Sequence, residues 1–156
     1  MLFRSTTTTI ASSQSADRTL TLPNATDTLV GKATTDTLTN KRISPRTDSA
    51  TTKTSPYALN SDNYDYVAIT GLSNALTFSL DSGTPVSGQK LMIRVTCDGT
   101  SRTLTWTTSG NKYYRSAGAT LPTTLTINKT YWIGFVYNAT SNSGNGTWDC
   151  VALAND

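Results

Sequence analysis

Residues 89–97 read QKLMIRVTC, with the apolar side chains of Leu91, Ile93, Val95 and Cys97 alternating with Met92, Arg94 and Thr96. A two-residue period with one apolar face belongs to a strand that lays one side on a core and turns the other outward. Working outward, six more β-like stretches follow Pro56: YDYVAITGL from Tyr64, ALTFSL from Ala75, RTLTWTT from Arg102, TTLTI from Thr123, TYWIGFVY from Thr130 and TWDCVAL from Thr147. Asp98-Gly99-Thr100-Ser101 has hairpin composition and predicts that Leu104 and Trp106 continue the apolar face of residues 89–97 across a tight turn. Asn128-Lys129 and the run from Asn138 to Gly146 supply further turns. So many short strands in one segment predict an antiparallel β-sandwich, jelly-roll-like, over residues 57–156.

Composition agrees with an all-β class. Ser and Thr make up about three residues in ten, all 10 acidic residues are Asp, and there is no His. The branched Cβ of Thr suits a pleated sheet, and the missing Glu removes a common helix former. Without His the usual general base and metal ligand are gone, and without Glu the usual carboxylate pair is restricted to Asp, so the expectation is a protein that is not an enzyme and holds no metal or cofactor. Asp62, Asn63 and Asp65 lack the spacing of a calcium loop and read as an Asx-rich turn. Cys97 and Cys150 read as two buried free thiols, a cross-sheet disulfide being the alternative.

Upstream of the β-rich segment, three nine-residue units begin with Thr-Leu: TLTLPNATD from Thr19, TLVGKATTD from Thr28 and TLTNKRISP from Thr37. Each offers one Leu at the same phase, too little to bury itself. Three chains around an axis would bring Leu20, Leu29 and Leu38 together in layers as a trimer core, each side chain gaining about 1.5–3 kcal/mol on burial. A single-chain β-solenoid is the competing arrangement. Residues 1–16 are polar and aperiodic, an arm expected to order only against a partner. Residues 46–56 read as a linker. The expected organisation is therefore an extended arm over 1–16, a repeat neck and linker over 17–56 that trimerises and docks, and a head domain over 57–156.

Net charge is +3, and the excess lies upstream: residues 1–56 carry seven cations against four Asp, and residues 57–156 six of each. A basic arm suits an acidic docking surface, and Leu2, Phe3, Arg4 and Arg18 are its candidate docking residues. No Lys/Arg stripe interleaves with aromatics, so nucleic acid is not an expected partner. The opening residues contain no apolar secretory core and no stretch approaches the ~20 apolar residues of a membrane span, so neither export by a signal peptide nor a membrane partner is expected.

Two further groups could recognise a ligand. Tyr113-Tyr114-Arg115 falls between strands and is the candidate for surface recognition, the alternative being a loop that caps the sandwich or packs on a neighbouring subunit. Trp106, Trp132 and Trp148 could stack on sugars, but each sits in a strand with apolar neighbours at alternate positions, which favours core packing. Trp132 is the odd one, because Tyr131, Ile133, Phe135 and Tyr137 already form the other face of its strand.

TLVGKATTDTLTNKRI resembles the neck and shaft repeats of structural proteins of tailed bacteriophages, and GQKLMIRVTCDGTSRTLTW, LPTTLTINKTYWIGFVYNA and TWDCVAL together resemble the terminal β-domain of phage fibre and head-decoration proteins. The resemblance implies a homotrimeric virion protein made in the host cytoplasm, docked through its N-terminal part with a β-head facing outward. A repeat region of residues 17–45 reaches at most about 100 Å when fully extended, which suits a decoration or cement protein on the major capsid protein better than a long fibre. The alternative is a short tail fibre or receptor-binding protein whose head recognises a cell-surface glycan. A glycan-active enzyme is opposed by the absence of His and Glu.

Overall fold

A computed structural model describes Ala16 and residues 42–156 of the chain. The chain divides between Lys41 and Arg42 into two units, the second running to Asp156. The expected arm (apart from Ala16) and the repeat as far as Lys41, including Leu2, Phe3, Arg4, Arg18, Leu20, Leu29 and Leu38, lie outside the described residues.

The described unit is all-β: β1 (Thr47–Ala50), β2 (Tyr66–Leu72), β3 (Leu76–Phe78), β4 (Lys90–Cys97), β5 (Arg102–Trp106), β6 (Tyr113–Ser116), β7 (Thr124–Leu125), β8 (Thr130–Asn138) and β9 (Thr147–Asn155), with one 3-10 turn at Asn142–Gly144. Six strands form a sheet in the order β1-β2-β4-β8-β9-β6, and three form a second in the order β3-β5-β7. All seven stretches that alternate in the sequence contain strands. The expected antiparallel arrangement is corrected to a mixed one. β4–β8, β8–β9 and β5–β7 pair antiparallel, whereas β1–β2, β2–β4, β3–β5 and β6–β9 pair parallel.

The turn at Asp98–Ser101 does not make a hairpin. β4 pairs with β2 and β8, and β5 with β3 and β7, so these four residues carry the chain from one sheet to the other. Gly99 takes φ 101, a left-handed value that glycine adopts without a Cβ clash, and Arg102 Nη2 donates to both carboxylate oxygens of Asp98 at 2.8 and 2.9 Å. Asn128, between β7 and β8, also takes a left-handed φ of 63, which Asn tolerates better than most residues that carry a Cβ. The turn from Asn138 to Gly146 does join antiparallel neighbours, with Asn138 opposite Thr147.

Residues 46–56 are not a linker. They supply β1, the edge strand beside β2, and Arg46 ties it down by a forked pair to Asp65, Nε to Oδ2 at 2.8 Å and Nη2 to Oδ1 at 2.6 Å. Asp48 on β1 accepts from Lys53 Nζ at 2.5 Å and Tyr57 Oη at 2.6 Å. These polar pairs were not legible in a stretch poor in apolar residues, since an edge strand needs little core of its own.

Alternating residues of the strands build one core: Val67, Ile69, Leu91, Ile93, Val95, Ile133 and Phe135 from the large sheet meet Leu76, Phe78, Leu104 and Leu125 from the small one. An aromatic cluster joins the two sheets. Phe78 stacks on Trp106 at 4.5 Å between centroids, and Tyr114 and Phe135 lie 5.3 and 5.6 Å from Trp106. Cys97 and Cys150 are buried free thiols.

Candidate functional site

The large sheet has two faces, and the outward one carries the least protected apolar groups. On β4 the side chains opposite the core are Lys90, Met92, Arg94 and Thr96, and on β8 they are Trp132, Gly134 and Val136. Register aligns them in rows across the sheet: Ala68–Arg94–Trp132–Ala154, and Tyr66–Met92–Gly134–Ala152. Met92 is 40% exposed and Trp132 41%, large values for such side chains in the middle strands of a six-stranded sheet.

Trp132 is not alone there. Its ring lies parallel to Tyr66 within 6°, the centroids 6.3 Å apart, and the Arg94 guanidinium carbon is 5.6 Å from the centre of the Trp132 ring. That cation–π contact fixes Arg94 across the indole without using its N–H groups. Beside the aromatic pair, Gly134 leaves a hollow. A Cβ there would meet Ala152 Cβ at 3.4 Å and Met92 Cε at 3.8 Å, and the shallow cavity of about 450 Å³ over this point is bounded by Pro45, Asp65, Lys90 and Val151.

Charge on this face is one-sided. Asp65 is forked to Arg46, and Asp149 is paired with Arg115, whose Nε and Nη2 reach its two oxygens at 2.9 and 2.6 Å. Burial works against ionisation of Asp149, but hydrogen bonds from Arg115 and Thr147 outweigh it and hold the carboxyl below its usual range. At the end of β9, Asp156 accepts from the Thr130 N–H at 2.8 Å and its backbone oxygen from Lys129 Nζ at 2.8 Å. The ion pairs among the described residues use Arg46, Lys53, Arg102 and Arg115; of the described cations outside these pairs, Arg42, Lys90, Arg94, Lys112 and Lys129, it is Lys90 and Arg94 that stand on the outward face of β4.

Tyr113, Tyr114 and Arg115 do not form a recognition loop. They are β6, parallel to β9, and Tyr114 is fully buried in the aromatic cluster. Its hydroxyl has no hydrogen-bond partner, and burial pushes the phenol far above its usual range. Arg115 is engaged by Asp149. Along β6, buried Tyr114 lies between half-buried Tyr113 and Arg115. Trp106 and Trp148 are core residues at 7% and 0% exposure, Trp106 Nε1 donating to the Pro122 carbonyl at 2.7 Å. Asp62 and Asp65 are occupied by Thr84 and Arg46, and no group of metal-ligating residues occurs among the described ones.

A second depression of about 470 Å³ lies on the small sheet between Thr103, Thr105, Leu121 and Thr123, and no charged side chain lines it. No helix among the described residues is long and apolar enough to cross a membrane. No family model, no curated protein and no solved structure matches this chain.

Proposed function

We propose that this chain is a virion structural protein of a tailed bacteriophage, a homotrimeric capsid decoration protein that binds the major capsid protein through its N-terminal region and carries a β-sandwich head. The observation that carries this reading is the division of the chain at Lys41/Arg42: all three Thr-Leu pairs fall in one unit, and the other, which begins within the third repeat, is a compact all-β body with its own core. The aromatic cluster shared by the two sheets supports the sandwich description of the head, and the parallel pairs of β1, β2 and β4 depart from an all-antiparallel jelly roll.

In this reading the protein works without chemistry. Three arms held together bind at high effective concentration, so modest affinities per arm combine into lasting attachment to the shell. The ratio of this protein to the major capsid protein in purified particles tests the proposal. Copies in the hundreds support decoration, and a few dozen or fewer point to a short fibre; absence from particles removes the virion reading. Sedimentation of the purified chain tests the trimer. The exposed Trp132 is the observation that favours the second reading, a short tail fibre or receptor-binding protein with a glycan-recognising head.

A further inference from the structure

We infer that the outward face of the large sheet, centred on Trp132, Tyr66 and Arg94, is a binding site for an acidic oligosaccharide. The inference stands apart from where on a particle the protein sits, and it goes beyond capsid attachment because none of these residues belongs to the N-terminal unit.

Three features converge on that ligand class. First, a sugar ring presents C–H groups on one side, and the Trp132 ring offers a matching apolar surface that is not used to build the core. Tyr66 stacks within 6° of parallel to it, the centroids 6.3 Å apart, and so holds the indole in that orientation. Second, the hollow above Gly134 adjoins the rings, between Met92 and Ala152, so a chain longer than one sugar can continue into it. A flat sheet face with a hollow at one end fits an extended oligosaccharide better than a compact small molecule.

Third, the charges select the acid. Asp65 and Asp149, the carboxylates bordering this face, are both consumed by arginines, whereas Arg94 and Lys90 point their positive charge at the site without a carboxylate among the described residues. Arg94 is held across the indole, with its planar fork of donors left to take a carboxylate in a two-point hydrogen bond. A neutral sugar would leave that fork unmatched. A uronate or sialate would satisfy it beside the ring on which its apolar side stacks.

The test uses the full chain against two matched pairs of immobilised oligosaccharides, 3′-sialyllactose with lactose and tetragalacturonate with maltotetraose. At least one acidic member is expected to bind at about 1 mM or better and more tightly than its neutral mate, with affinity falling as salt rises. Trp132→Ala should lower that affinity at least about tenfold. Arg94→Gln should remove the preference for the acidic member while leaving residual stacking. Arg102→Gln, at the turn between β4 and β5 where it pairs with Asp98, should leave binding within about twofold. Because Trp132 and Arg94 lie outside the core, circular dichroism should show both variants folded. No binding to either acidic probe overturns the inference, as does equal binding of acidic and neutral members or binding that survives Trp132→Ala. So does a Trp132→Ala variant whose oligomer dissociates while no sugar binds, which would identify this face as a contact between copies.

Discussion

Replacing Asp81 by alanine should cost this fold more than any other single polar change among the described residues. The side chain is buried and accepts four hydrogen bonds: Oδ1 from the Ser61 N–H at 3.0 Å and the Gly83 N–H at 2.9 Å, Oδ2 from the Ser61 hydroxyl at 2.6 Å and Trp148 Nε1 at 3.2 Å. It thereby ties the segments before β2 and after β3 to the indole on β9. In Asp81→Ala the Ser61 hydroxyl can rotate to another acceptor, but three N–H donors cannot. At about 1–3 kcal/mol for each buried donor left unpaired, the loss is about 3–9 kcal/mol, comparable to the ~5–15 kcal/mol total of an ordinary domain. Asp81→Asn separates donors from shape. With its oxygen kept toward Ser61 and Gly83, its amide nitrogen faces Trp148 Nε1 donor to donor, so the loss should be about 1–3 kcal/mol. Adding Trp148→Phe to Asp81→Ala removes one orphaned donor, so the double variant should be more stable than the sum of the single losses predicts, by about 1–3 kcal/mol. Urea denaturation followed by far-ultraviolet circular dichroism reads the parent, the three single variants (Trp148→Phe included) and the double variant. A loss under about 1 kcal/mol for Asp81→Ala, or strict additivity in the cycle, would refute the reasoning.

Phe78→Ala empties the centre of the aromatic cluster and should cost about 3–5 kcal/mol in the same denaturation experiment; a value under about 1 kcal/mol would mean that the two sheets do not depend on this contact. Burial works against the charge on Asp48, but the hydrogen bonds from Lys53 and Tyr57 outweigh it, so the carboxyl is held below its usual range when folded. A depressed folded value gives stability that is present above the unfolded value near 3.9 and is lost as pH falls below it. Asp48→Asn should therefore be less stable than the parent at pH 7, with the gap narrowing toward pH 2, and amide exchange over Thr47–Ala50 should speed up at neutral pH. Burial pushes the phenols of Tyr57 and Tyr114 above their usual range, so unfolding should be favoured above about pH 10, where they ionise only in the unfolded chain; a stability curve flat to pH 11 would contradict this. At Gly146, φ is 75 and an added Cβ would lie 1.9 Å from Tyr137 Oη, so Gly146→Ala should lower the urea midpoint strongly, whereas Gly88→Ala, with open space around it, should lower it far less.

The sequence by itself located the seven strands whose side chains alternate, because alternation follows from the backbone geometry of a strand and needs no knowledge of its partner. It also marked Trp132 as the aromatic that did not fit the inner face, through the phase of Tyr131, Ile133, Phe135 and Tyr137. The position of Tyr114 was not legible, because Tyr113 and Tyr114 are the same residue type side by side and only the structure shows which of the two enters the core. Two strands escaped for a physical reason: β1 and β6 carry little alternating apolar material and hold their places partly through polar pairs such as Lys53–Asp48 and Arg115–Asp149. Which strands pair was decided by tertiary structure alone. Asp98–Ser101 has hairpin composition, yet the chain crosses there to the second sheet, because a turn fixes direction locally while pairing depends on which distant edge offers the better packed neighbour. The outward face arose the same way. Tyr66, Arg94 and Trp132 lie on three different strands, and only the register of β2, β4 and β8 places a cation and two rings side by side.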